Sequence, residues 1–137
     1  MTILVRATPV PAAAWRCVQD LCDHTRLAAQ LVEQGYGRYQ RDVWLQEAAK
    51  AMLIELGDIA ARTCREAPRL AKKHPELCLT KLVGVRHLVA HGHYIADAEE
   101  LWLILTDDLP PIAEAAATLL KKTAIEADGP ILTGGFR

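Results

Sequence analysis

At 137 residues, with 51% hydrophobic but only 5% aromatic side chains, the chain suits one helical domain around a single core. A formal charge of −1 and a pI near 6.5 exclude any argument for nucleic-acid binding from bulk charge. No apolar run approaches membrane-spanning length, and Ile3-Leu4-Val5 is too short for a secretory signal. With four cysteines (Cys17, Cys22, Cys64, Cys78) that lack zinc-finger or CxxC spacing, reduced and packed thiols in a cytoplasmic protein are expected.

Residues 1–10 read as an N-terminal extension, 11–127 as the helical domain and 128–137 as a glycine-rich flexible tail. A first helix is predicted from Pro11 to Gln34, stopped by Gly35 and Gly37. The second, Asp42 to Glu66, has the clearest period: Leu45, Ala48, Ala49, Met52, Leu56, Ile59, Ala60 and Thr63 make one stripe. Pro68 and Pro75 bound an irregular basic connection. Thr80 is the predicted cap of a third helix that turns Leu82, Val85 and Val89 inward and ends near Gly92. Asp97 with Glu100 signals the start of a fourth helix through Leu101, Trp102 and Leu105, Trp102 being read as a core residue. A fifth is predicted to begin at Asp107 or Asp108, with Pro110 and Pro111 in its first turn and Ile112, Ala115, Ala116, Leu119, Leu120 and Thr123 as its stripe. The short connections predict an all-α, antiparallel bundle of four to five helices.

Charge is distributed unevenly along this frame. Arg62, Arg65, Arg69, Lys72, Lys73, Lys81 and Arg86 face only Glu66 and Glu76 between Arg62 and Arg86. From Asp97 to Asp128 the sign reverses. The basic stretch ends at Gly84-Val85-Arg86-His87-Leu88-Val89-Ala90-His91-Gly92-His93-Tyr94. Arginine offers phosphate a planar fork of donors, and histidine moves protons near neutral pH. Arg86 and His91 therefore suit cleavage of a phosphodiester beside a ribose 2′-hydroxyl without a metal or other cofactor. His91 is the candidate general base and Arg86 the phosphate clamp, with His87 or His93 orienting or relaying and Tyr94 beside them. Lys72, Lys73 and Lys81 would guide an RNA backbone.

Other readings of these residues stay open. Arg86 and His91 can be ordinary polar surface at a helix end. His87 and His91 have metal-ligand spacing and His93 could add a third donor, but no His-Glu-x-x-His is present and no acid precedes Asp97 nearby. A non-catalytic helical dimer that binds a nucleotide or a nucleotidyltransferase partner would use the same groups.

The segment Gly84–Gly92, followed by Asp97, Trp102 and Thr106-Asp107-Asp108-Leu109-Pro110, resembles the HepT-like branch of the HEPN proteins. Ile54-Glu55-Leu56-Gly57-Asp58-Ile59-Ala60 and His74-Pro75-Glu76 fall where that family carries comparable segments. The likeness spans roughly Val18 to Leu120. It implies a helical homodimer with a metal-independent ribonuclease site at the interface, acting as the toxin of a pair whose antitoxin is a minimal nucleotidyltransferase. Arg86, His87 and His91 fit the family motif position by position, and Asp58 stands where the family usually has glutamate. Many members carry a tyrosine, modified by the antitoxin, two residues after the motif histidine. Here that position is His93, with Tyr94 one step later.

Overall fold

The computed structural model describes residues 12–90 and 97–128, with side chains described as far as 123. The expected extension (1–10), the segment 91–96 and the tail beyond residue 128 lie outside the described residues. Among the described residues all regular structure is helical, and the long helices are α1 (Ala12–Val32), α3 (Val43–Glu66), α5 (Leu79–Ala90) and α7 (Leu109–Asp128). Short helices α2 (Tyr36–Arg41), α4 (Pro68–Lys73) and α6 (Ala98–Leu103) connect them, together with a 3-10 turn at Pro75–Leu77. An all-α bundle is what the composition and periodicity predict.

The central helix is α3, which packs on α1 along one side and on α5 along the other, while α1 also packs on α7. Asp42 caps α3, its carboxylate accepting from the backbone N–H groups of Trp44 and Leu45. The predicted stripe is buried at Ala49, Leu56, Ile59, Ala60 and Thr63, and is completed by Leu53 and Gly57, which the three-four spacing had not included. Val18 and Leu21 from α1 and Ile112 and Ala116 from α7 meet it in one core. Burying a Leu-sized side chain contributes roughly 2 kcal/mol, so this core outweighs any single polar contact. Buried Thr25, Thr63 and Thr123 donate to carbonyls of the preceding turn, so their hydroxyls are satisfied.

Four expectations need correction. The stretch after Pro68 is not irregular: proline at the first helical position starts α4, and the 3-10 turn follows. Thr80 does not cap α5. Cys78, left-handed at φ 50°, lends its carbonyl to Leu82 N–H (3.1 Å), so the helix already runs from Leu79. No break separates the fourth and fifth predicted helices. A π-helical turn at Ile104–Asp108 joins α6 to α7, with Leu109 N–H reaching Ile104 C=O and Thr106 donating to Trp102 C=O (3.0 Å). Pro110 and Pro111 lack the N–H groups that a regular helix would direct to the turn before them, and the wider turn accommodates that loss. Finally, the cysteines are free but not all packed. Cys17 and Cys22 are buried, burial raising the Cys22 thiol above its usual range, while Cys64 is exposed.

The start of α6 is fixed where Asp97 caps Glu100 N–H (2.9 Å), as predicted. Tyr39 of α2 is fully buried there. Its hydroxyl donates to Ala98 C=O (2.8 Å), and its ring lies 4.8 Å from that of Trp102. Burial, with the nearby Asp97 charge second, pushes the Tyr39 phenol up to about 12. Trp102 thus packs at the edge of the core, between Tyr39 and Tyr36.

Candidate active site

Helix α5 is apolar nearly all round, yet among the long helices it packs extensively on α3 alone. Leu79 and Leu82 are buried, while Val83, Val85, Leu88 and Val89 are only half-buried. The crossing point is Gly57. A Cβ placed there would come within 2.2 Å of the Arg86 Cβ and 2.9 Å of the Leu82 carbonyl oxygen. Glycine therefore lets the two backbones approach until the stem of Arg86 lies directly against α3.

The next residue along α3 is Asp58, and Arg86 Nε donates to its Oδ1. The Arg86 side chain is 33% exposed and that of Asp58 49%. Asp58 thus supplies the partner that the sequence left unassigned. Held at Nε, the guanidinium has a defined anchor and remains partly open to solvent, and its planar fork of donors is of the kind a phosphate takes. His87, one residue on, projects about 100° further round the helix and is exposed.

The geometry fixes which end of the bundle carries the motif. Tyr39, just before α3, touches Ala98 at the start of α6, and only six residues separate Ala90 from Asp97. Those residues span at most about 25 Å, so α5 must end towards the beginning of α3, antiparallel to it. His91, His93 and Tyr94 lie outside the described residues. The zinc reading rested on His87, His91 and His93, two of which are therefore outside; among the described residues no cluster of His, Cys, Asp or Glu is arranged to hold a metal ion.

The charge separation seen in the sequence is partly cancelled in space. Arg62 pairs with Asp20 of α1, Arg86 with Asp58, and Lys81 with Asp108 of the π turn (3.3 Å). Lys81 can meet a phosphate only by sharing that carboxylate. Lys72 and Lys73 are exposed in the last turn of α4, as are Arg65 and Arg69 nearby. His74 and Glu76 make a local turn contact, Nδ1 donating to Oε2 at 2.9 Å. The Glu76 carboxyl sits below its usual range, through a hydrogen bond from its own backbone and then through His74.

Sequence reasoning singled out Arg86, His87 and Asp58 as candidates but missed both the Arg86–Asp58 pair and the close approach at Gly57. The only signal was a glycine inside an otherwise well-formed helical stripe, which marks a close approach. No described helix is long and apolar enough to cross a membrane.

Comparison with known proteins agrees with this architecture. Searches of curated proteins and of solved structures return no match. The family model described as Ribonuclease HepT-like matches residues 21–119, a span that takes in Gly57, Asp58, Arg86 and His91. The chain belongs to the HepT-like ribonuclease family.

Proposed function

We propose that this protein is a metal-independent endoribonuclease, the toxin of a HepT/MNT-type toxin–antitoxin pair. The observation that carries this reading is Arg86, fixed by Asp58 over Gly57 and still 33% exposed. His91 removes the proton of a ribose 2′-hydroxyl, and the oxygen attacks the adjacent phosphorus. Arg86 holds the non-bridging oxygens and stabilises their growing charge, and the 5′-oxygen leaves with a proton delivered by His87 or His93. The products are a 2′,3′-cyclic phosphate and a free 5′-hydroxyl.

One side of α5 packs on no other long helix among the described residues, which supports a homodimer. Thr80, Gly84 and His87 lie opposite the face packed on α3, Leu88 beside them, and Gly84 has open space where a Cβ would stand. Pairing two such helices would cover this face together with half-buried Leu88. A nucleotidyltransferase antitoxin is the expected partner, with His93 or Tyr94 at the position of the tyrosine modified in many relatives.

The test is cleavage of a defined RNA in EDTA, with end-group analysis. Arg86→Ala and His91→Ala are each expected to lower the rate at least roughly a hundredfold. Cleavage by His91→Ala at the parental rate, or activity that EDTA abolishes and zinc restores, would overturn the mechanism. The non-catalytic module would then be the better account of a protein that binds RNA without cutting it.

A further inference from the structure

Among the described aromatic residues Tyr39 is buried and Trp102 packs against the core, whereas Trp44 does neither. Trp44, in the first turn of α3, is 84% exposed, and Val43 beside it is 65% exposed. Single exposed apolar groups are commonplace. Trp44 differs in what stands next to it. The Asp42 carboxylate accepts the Trp44 backbone N–H on Oδ1 (2.9 Å) and lies 3.7 Å from Arg38 Nε through Oδ2. Arg38 is also held from the other side, its Nη1 donating to Gln34 Oε1 at 2.6 Å. A guanidinium and the backbone N–H of an exposed tryptophan therefore share one carboxylate, and exposed Arg41 adds a second cation in the same stretch.

This corner is at the motif end of the bundle. Trp44 lies about 20 Å along α3 from Gly57 by helix rise, in the direction in which α5 runs from Arg86 towards residue 91. On the opposite side of α2, Tyr36, Gln40, Gln46, Asp97 and Glu99 line an open cleft of about 270 Å³. Its two carboxylates repel a phosphate, so an RNA strand leaving Arg86 is steered to the side of Arg38 and Arg41.

We propose that Trp44 and Arg38 form a base-stacking subsite for single-stranded RNA: a nucleobase lies on the indole face and its phosphate on Arg38. This rests on the ribonuclease reading above and names the substrate form that the same site selects. An indole stacks on any base, so the subsite adds affinity for unpaired strands with little sequence preference. A duplex keeps its bases stacked on one another and gains nothing there.

The experiment uses the full-length His91→Ala protein, so that the probe stays intact, and a 5′-labelled ten-nucleotide oligouridylate read by fluorescence anisotropy. Adding Trp44→Ala is expected to weaken binding about tenfold, and Trp44→Tyr to keep it within about threefold, as stacking requires. Binding of a blunt RNA duplex should not change. Equal affinity with and without the indole, or no binding of the oligonucleotide at all, overturns the subsite. So does a change of oligomeric state in Trp44→Ala by light scattering with RNA affinity intact, which would make the indole a protein contact. Cleavage by the otherwise unaltered protein is scored separately. If it cuts RNA and Trp44→Ala cuts short single strands equally well at limiting substrate, the subsite alone is wrong. If it binds through Trp44 but cuts nothing, the nuclease reading alone is wrong.

Discussion

Two arginine–aspartate pairs tie the central helix to its neighbours, and on paper they are near twins. Arg62–Asp20 links α3 to α1, with side chains 35% and 39% exposed. Arg86–Asp58 links α5 to α3, at 33% and 49%. Chemistry and exposure do not separate them. What differs is the ground on which each stands. The first spans a helix pair that is already well covered, α1 being packed on α7 as well as on α3. The second sits over a glycine, on a helix that has one extensive partner among the described long helices. An ion pair by itself is therefore no mark of a site. A pair whose arginine stem is pressed against a backbone, on an under-packed helix, holds a cation in place without withdrawing it from solvent.

Three substitutions break or sharpen this contrast. Asp58→Ala should have the largest effect, lowering RNA cleavage on the order of tenfold or more by releasing the guanidinium from its plane. Asp58→Asn still accepts from Nε and should retain most activity, so equal losses in the two variants would show that charge, not orientation, is what Asp58 supplies. Gly57→Ala comes next. Alanine normally favours a helix over glycine by about 1 kcal/mol, but here its Cβ meets a Cβ and a carbonyl oxygen, neither of which is a flexible chain end. Overpacking of this kind costs roughly 1–3 kcal/mol, so the melting temperature should fall. A rise would mean that the crossing is looser than described. The smallest change is expected for Arg62→Ala: less than about 1 kcal/mol of stability, as for half-exposed pairs generally, and no change in cleavage. Lost cleavage in a folded Arg62→Ala protein would erase the distinction between the pairs.

Much of the scaffold was legible from the sequence because its signals are local. Asp42 and Asp97 cap the helices they precede, and the stripe from Ala49 to Thr63 faces the core. Two of the three six-residue helices were not, since six residues cannot show a period: α2 was hidden by Gly35 and Gly37, which read as a stop, and α4 by a proline that read as a breaker, whereas α6 was betrayed by its cap. At the site, Arg86 could be singled out by residue type, but its pairing with Asp58 joins positions 28 residues apart. Such a contact depends on how two helices cross, and the crossing is set by a side chain that Gly57 does not have.

The π turn has a consequence for phasing. Leu101, Leu105 and Leu109 are all buried and each four residues apart, and four residues overshoot a regular helical turn by about 40°. Over the two steps from Leu101 to Leu109 that drift amounts to about 80° on a regular helix. The wider turn between Ile104 and Asp108 winds less per residue and takes up part of that drift. It works as a splice, letting α6 keep the azimuth that seats Trp102 on Tyr39 while α7 keeps the one that lays its own stripe on α1. Two helices with different neighbours are thereby carried on one unbroken rod.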